Sequence, residues 1–337
     1  SIPDNAVLAK VYKTEILEGY DAISPVGELR ALGLTTFKGP GGTKVEQAFT
    51  LKKRAFDKSY YGLFGISTPD NLNSGVTKEL TANPNILNTL GFIGEPSDKK
   101  SLSINDIAPL AEAITPYATR VDDPKRISFI SGQNNHVGGM LNSSIPPVRT
   151  GLEKVVSYNC SENFSQLSKK DGVVTDIDEV AKKVYLSYKD GTKDVIDYNN
   201  RMLRNSDAFN QASYKCQVKV GQKVKAKEVI CADERFFKKD PLTGELLYTQ
   251  SVNAMVAIME NTYTEDDSNL ITDTFANKLK MDFTKRKQIS IKPMDTIIEY
   301  KNIGDHVKLG DPLFVFDQSG TFEEENSDDA EDSMYKL

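Results

Sequence analysis

Val184-Tyr185-Leu186-Ser187-Tyr188 and Val195-Ile196-Asp197-Tyr198, set either side of Asp190-Gly191, form the stretch on which the fold turns. Short runs rich in valine, isoleucine and tyrosine fit a pleated, half-buried strand. Asp-Gly between two such runs signals a hairpin, because glycine takes the left-handed backbone that tight turns require. The same reading extends outward. Val218-Lys219-Val220-Gly221-Gln222-Lys223-Val224 continues through Lys225-Ala226-Lys227-Glu228 to Val229-Ile230. Ile303-Gly304-Asp305-His306-Val307-Lys308-Leu309-Gly310-Asp311-Pro312 leads into Leu313-Phe314-Val315-Phe316. Both follow one order: strand, glycine turn, valine, second small turn, strand. Each predicts a tight β arch inside a barrel-like or sandwich-like unit, and from about residue 170 the chain reads as β structure.

Before that point the signals are mixed. Residues 1–20 alternate apolar and polar side chains, as a strand does, notably from Ala6 to Tyr12. Gly39-Pro40-Gly41-Gly42 is a loop, since neither helix nor strand interiors tolerate it. Residues 66–100 mix proline, asparagine and glycine with short apolar pieces and read as loop-rich. A helix is expected within 103–118, where Asp106 precedes Ile107 and Leu110, Ala111 and Ile114 recur at helical spacing. A second is expected around 267–279. The fold class is therefore α+β, mainly β. Strand-like apolar segments at 252–259 and 313–316 need neighbours to pair with.

The formal net charge is −6, and it misleads. Residues 323–337 hold seven acids (Glu323, Glu324, Glu325, Asp328, Asp329, Glu331, Asp332) and one base, Lys336, so this tail carries the whole excess. It reads as a solvated, disordered run. A neutral body argues against a solitary DNA binder with a strong basic excess, yet suits a subunit that shares a channel. No run approaches the ~18 apolar residues needed to span a bilayer, so no membrane association is expected. The chain opens on Ser1, as a trimmed or excerpted chain would. Cys160, Cys216 and Cys231 form no Cys-x-x-Cys and only two histidines exist, which argues against zinc and for free thiols in a reducing cytoplasm.

Five segments carry a family resemblance. Ser24-Pro25-Val26-Gly27-Glu28-Leu29 is followed by the 39–42 glycine loop. Next comes Gly62-Leu63-Phe64-Gly65-Ile66-Ser67-Thr68-Pro69-Asp70-Asn71-Leu72-Asn73-Ser74-Gly75. Arg149-Thr150-Gly151-Leu152-Glu153-Lys154 is the third, and Leu203-Arg204-Asn205-Ser206 with the 218–224 arch the fourth. The fifth joins Gln250-Ser251-Val252-Asn253-Ala254-Met255-Val256-Ala257 to Tyr263-Thr264-Glu265-Asp266-Asp267-Ser268-Asn269-Leu270-Ile271-Thr272. Singly each is weak. In this order and spacing they resemble the β subunit of bacterial multisubunit DNA-directed RNA polymerase, and most nearly the divided β of giant-bacteriophage polymerases.

The resemblance implies a fork/lobe-remnant region at 1–125, a hybrid-binding region at 126–300, the start of the flap at 301–322 and the acidic tail at 323–337. It implies template-directed RNA synthesis as one wall of an active channel, the chain alone being inactive. The implied partners are the remaining β fragments, a β′-like largest subunit, a promoter-specificity factor, template DNA, nascent RNA and nucleoside triphosphates. The implied setting is the cytoplasm, that of the host cell for a viral enzyme, or packaging in the virion. The main Mg²⁺ would be held by the largest subunit, whose Asn-Ala-Asp-Phe-Asp-Gly-Asp motif is absent here.

Nucleotidyl transfer uses two metal ions held by hard oxygen ligands. Asp266 and Asp267 stand where the family has its Glu-Asp pair, so the resemblance assigns them to the second, substrate-borne Mg²⁺, directly or through water. Their bland alternative is an acidic N-cap. Asn135 and His136, in Gln133-Asn134-Asn135-His136-Val137-Gly138-Gly139-Met140, stand where the family places a triphosphate-binding arginine. Arg149 and Arg204 are candidates for the RNA–DNA hybrid backbone. Gly39, Pro40, Gly41 and Gly42 would form the fork-loop tip near melted DNA. At the segment matching the rifamycin pocket, 18–36, Asp21 matches a family Asp, while Ala31 replaces His, Leu34 replaces Arg and Thr36 replaces Ser. Two rival classes stand beside this reading. One is a catalytically degenerate structural subunit. The other is a biotinyl or lipoyl carrier, whose lysine would sit on a tight turn just after the first arch; Lys280-Met281 is far beyond that reach.

Overall fold

In the computed structural model the described residues are 23–39, 42–44, 49–69, 71–95, 103–118, 124–205, 208–264, 268–282, 284–285, 289–293, 295–302 and 304–317. The 1–20 strand and the acidic tail lie outside them.

Ser24 caps helix α1 (Pro25–Gly33): its Oγ accepts from Gly27 N at 3.0 Å, and Pro25, with no N–H to satisfy, fills the first turn. The chain then enters β1 (Leu34–Thr36), passes the short helix α2 (Leu51–Arg54), and returns as β2 (Thr77–Glu79), antiparallel to β1. Apart from β2, the described residues of 66–95 are turns, bends and isolated bridges, as the proline and glycine content requires.

The helix expected at 103–118 is two pieces, α3 (Ile104–Ile107) and α4 (Leu110–Ala113). Pro109 separates them because it can neither donate a backbone N–H nor let its predecessor stay helical. Asp106 is not the cap. It sits third in α3 and closes a capping box with Ser103, whose N and Oγ both donate to Asp106 Oδ2 at 2.8 and 2.9 Å. Helix α5 (Pro124–Asn135) packs on α1 and α4, and α6 (Glu153–Asn159) leads into the β region.

The β region opens with β3 (Ser165–Leu167), β4 (Gly172–Asp178), β5 (Lys183–Tyr188) and β6 (Lys193–Asp197). The β5–β6 hairpin turns at Asp190-Gly191 as read from the sequence: Gly191 has φ +81°, and Asp190 Oδ1 accepts from Thr192 N at 3.0 Å. Then follow β7 (Arg201–Asn205), β8 (Ala208–Ala212), β9 (Tyr214–Cys216), β10 (Lys223–Val224), β11 (Val229–Asp233), β12 (Phe237–Lys239) and β13 (Leu246–Tyr248). Helix α7 (Asp273–Ala276), β14 (Thr284–Lys285), β15 (Thr296–Tyr300) and β16 (Phe314–Asp317) complete the order.

Sheets run β10-β4-β5-β6, β3-β11-β9 and β14-β8-β7, with β1-β2, β12-β13 and β15-β16 as pairs. The protein is thus mixed α+β with more strand than helix. Its sheets are small and open, and none closes into a barrel among the described residues. A core through Val26, Ala111, Ile114, Val156, Phe164, Val184, Leu186, Ile230 and Tyr248 joins the helical and β parts. The chain divides into two compact units, Ser1–Lys285 and Arg286–Leu337.

The two arches share more than a pattern. In the first, Gln222 N donates to Lys219 O at 3.1 Å and Lys219 N to Gln222 Oε1 at 3.1 Å, while Gly221 has φ +81°. Glu228 N donates to Lys225 O at 3.1 Å and Lys225 N to Glu228 Oε2 at 2.9 Å, while Lys227 has φ +65°. The second arch repeats both turns. Asp305 N donates to Asn302 O and Asp311 N to Lys308 O, at 3.1 and 3.0 Å. Asn302 N and Lys308 N donate to the Asp305 and Asp311 carboxylates at 2.7 and 2.8 Å, and Gly304 and Gly310 have φ +96° and +93°. Each is a four-residue turn whose third residue is left-handed and whose fourth caps the first.

Segment 252–259 departs from expectation. It forms no strand and lies exposed, Met255 and Ile258 fully so. A strand needs a ladder partner, and none of the described strands pairs with it. Segment 313–316 does find one, since β16 pairs with β15.

Candidate nucleic-acid and substrate-facing residues

The glycine loop is closed by its own backbone. Gly42 N donates to Gly39 O at 3.0 Å, Gly39 N to Thr43 O at 3.2 Å and Thr43 N to Phe37 O at 2.8 Å. Gly39 has φ +114°, and a Cβ on Gly42 would stand 2.5 Å from Phe37 O, so the turn needs glycine at both ends. Pro40 and Gly41 lie outside the described residues. Beside the loop stands a basic and aromatic cluster. Lys38 Nζ, Lys53 Nζ and Arg54 Cζ lie 5.9, 5.8 and 6.0 Å from the centre of the Phe49 ring. Phe37 stacks 6.2 Å from Phe49, and Lys78 Nζ lies 5.0 Å over Phe37 and 5.3 Å over Tyr60. Arg54 is committed to the fold, donating to Leu72 O at 3.0 Å and Ser74 O at 2.6 Å. Lys52 and Lys53 are exposed. No motif points to this cluster; its signal in the sequence is the run Phe49-Thr50-Leu51-Lys52-Lys53-Arg54.

Asn135 and His136 end α5. Asn135 is buried, its carbonyl accepts from Ser24 Oγ at 2.9 Å, and both polar atoms of its side-chain amide are buried without a partner. His136 is exposed. The next segment is tightly threaded. A Cβ on Gly138 would meet Met281 Sδ at 2.9 Å, and one on Gly139 would meet Arg235 and Phe236 at 3.1 Å. Leu141 N donates to Lys280 O at 3.0 Å and Ser144 N to Ser251 O at 2.8 Å. The turn at 149–153 is built by Glu153, whose carboxylate accepts from Thr150 N and Gly151 N at 2.8 and 2.9 Å, with Gly151 at φ +89°. Arg149 Nη1 donates to Asp240 Oδ2 at 2.8 Å, and this bond holds the Asp240 carboxyl below the usual carboxylate range. Arg204 lies on β7; its side chain is outside the description.

Asp266 and Asp267 lie outside the described residues. Their flanks are ordered by Ser268 Oγ donating to Tyr263 O at 3.2 Å. The helix expected over 267–279 is only α7, and its cap is Thr272, whose Oγ1 accepts from Phe275 N at 3.2 Å. The acidic pair is therefore not the cap of that helix, which begins six residues beyond Asp267. Among the described residues no group of three or more His, Cys, Asp or Glu is placed to hold a metal ion. Asp176 on β4 faces solvent and accepts from Ile177 N at 2.9 Å.

No protein-family model matches this chain, and no curated protein sequence is significantly similar to it. No helix among the described residues is long and apolar enough to cross a membrane.

A polar cavity of about 50 Å³ lies where α1, β2, α4 and α5 meet, lined by Arg30, Ser67, Glu79, Glu112, Ser128 and Ser131 among others. Arg30 Nε donates to Glu79 Oε2 at 3.2 Å and Ser67 Oγ donates to Glu112 Oε1. Burial pushes the Glu79 carboxyl up to about 7, with Arg30 opposing and Glu112 adding to the rise. Burial pushes Glu112 up to about 7 as well, against the Ser67 hydrogen bond. Both carboxyls thus titrate near neutrality.

Proposed function

We propose that this chain is a divergent β-subunit segment of a multisubunit DNA-directed RNA polymerase. In this reading it lines the active channel beside a largest subunit that holds the main Mg²⁺. The observation that carries it is the order and spacing of the five motif segments, three of which share one apolar core: Val26, Leu203, Val218 and Val224 are buried in it, and Leu29 and Leu152 pack against it. Hydrogen bonds tie the first and last segments to other parts of the chain: Ser161 N donates to Glu28 Oε2 at 3.3 Å, Ser24 Oγ to Asn135 O at 2.9 Å, Gln250 Nε2 to Ile114 O at 3.4 Å and Asn253 Nδ2 to Ile145 O at 2.9 Å. Of the glycines in these motifs, Gly39, Gly62, Gly75, Gly151 and Gly221 sit where the backbone is left-handed.

Each candidate has a task in this reading. Lys38 and Lys53, with Phe37 and Phe49, offer charge and an aromatic edge to a nucleic-acid strand passing the glycine loop. His136 offers an exposed hydrogen-bonding ring at the end of a helix anchored by Asn135. Asp266 and Asp267 would help hold the substrate-borne Mg²⁺, directly or through water. The deciding experiment purifies the chain under native conditions, identifies the polypeptides that accompany it, and assays RNA synthesis. The expected result is a partner carrying Asn-Ala-Asp-Phe-Asp-Gly-Asp and template-dependent synthesis by the assembly but not by the chain alone. Synthesis by the isolated chain, or an assembly with no such partner and no synthesis, overturns the reading.

A further inference from the structure

Cys216 and Cys231 face each other across the antiparallel pair β9–β11. Gln217 N donates to Ile230 O at 2.8 Å, and Glu234 N donates to Ser213 O at 2.9 Å. Hydrogen-bonded pairs alternate with non-hydrogen-bonded ones in such a ladder. The bonded pairs fall at 217/230 and 213/234, so the two cysteines occupy a non-hydrogen-bonded site. Cα atoms across such a site stand about 4.5 Å apart, with side chains at their closest. A disulfide requires a Cα separation of about 4.4–6.8 Å. We propose that Cys216 and Cys231 are a dithiol that a peroxide oxidises to an intramolecular disulfide.

Accessibility and acidity divide the work between the two thiols. Cys231 is fully buried and Cys216 is partly exposed, so an oxidant meets Cys216 first. The hydrogen bond from Cys231 brings Cys216 down to about 6, with Lys239 helping and burial and Glu179 opposing. The bond to Cys216 and burial hold Cys231 protonated. The Cys216 thiolate attacks the peroxide O–O bond, giving a sulfenic acid and an alkoxide, or hydroxide from hydrogen peroxide, which takes back from solvent the proton that Cys216 had released and leaves as alcohol or water. Cys231 sulfur then attacks the sulfenyl sulfur, and its proton leaves with the displaced hydroxyl as a second molecule. Two thiols and one peroxide thus yield one disulfide, one water and one alcohol or second water. The bond would close the arch that carries Lys219, Lys223, Lys225 and Lys227. Thiol–disulfide exchange with a reducing thiol would restore both cysteines, so the change is reversible.

The test uses the full chain with whatever polypeptides co-purify. It is treated with hydrogen peroxide, alkylated and digested with trypsin without reductant. Cleavage after Lys215, Lys219, Lys227 and Arg235 places the two cysteines on separate peptides. The expected result is a linked pair of those peptides, reversed by dithiothreitol, with Cys160 alkylated as a free thiol. Without peroxide, iodoacetamide at pH 7 should label Cys216 about tenfold or more faster than Cys160, whose thiol burial raises. Cys216→Ser should leave Cys231 unoxidised. A Cys216 sulfinic acid beside a free Cys231 overturns the proposal, as does a link to Cys160 or to a second chain. Should the variant not fold, the peptide map of the unaltered chain decides by itself.

Discussion

Glu112→Gln tests the buried carboxyl pair directly. Glu112 sits on α4 at the polar cavity, held near 7 instead of 4.5 by burial. A carboxyl whose folded pKa is raised keeps its proton in the folded state after the unfolded chain has released it. The associated stability is complete below about 4.5, falls as pH rises through 7, and is gone above that. At 1.36 kcal/mol per tenfold, the loss between pH 4 and pH 8 is about 2–3 kcal/mol for this group. Glutamine removes the titration and keeps an oxygen to accept from Ser67 Oγ. It also removes the charge that raises Glu79 beside Arg30. The variant should match the parent at pH 5 and be more stable at pH 8 by about 2–3 kcal/mol. At about 2–4 °C per kcal/mol for domains of this order, that is roughly 4–12 °C in Tm. Thermal unfolding followed by circular dichroism at the two pH values reads it. An equal shift at both, or a loss at pH 8, refutes the reasoning.

Three further outcomes are expected. Changing Asp266 and Asp267 together to alanine should slow nucleotide addition and raise the Mg²⁺ requirement of the assembled enzyme while template binding survives; unchanged elongation at limiting Mg²⁺ counts against a metal role. Gly75→Ala should cost about 1–2 kcal/mol from backbone conformation alone, since Gly75 has φ +69°, and more from the contact its Cβ would make with Arg54 O; chemical denaturation measures it. The assembled enzyme should resist rifamycins, because Ala31 and Leu34 withhold two donors of the family pocket and each lost bond costs about 0.5–1.5 kcal/mol, roughly five- to 150-fold together; an in vitro transcription titration shows whether it does.

The β half was legible because its signals are local. Asp190-Gly191 between valine-rich runs needs no distant information, and neither do the Gly221 and Gly304 turns, whose caps lie three residues away. The helical half was less so. Pro109 splits 103–118 although the apolar spacing runs straight through it, and Thr272 starts α7 where hydrophobic period alone placed the start earlier. The glycine loop was visible in composition, but the cations around Phe37 and Phe49 come from three separate stretches, at 38, 53–54 and 78, that only packing brings together. Nothing in the neighbourhood of Glu79 or Glu112 announces that the two meet, since 33 residues and a change of element separate them. The cysteine pair was equally hidden: its register depends on an arch whose length sets which residues oppose one another.

Segment 252–259 has a further consequence for the life of the chain. An exposed backbone without ladder or helix bonds, bearing Met255, Val256, Ile258 and Met259, suits both a protease cleft and the apolar groove of a holdase chaperone. The newly made chain should therefore be watched by quality control at this stretch until something covers it. Brief digestion would nick it near residues 252–260 and spare the hydrogen-bonded β5–β6 hairpin, and the disappearance of that nick would time the moment of assembly.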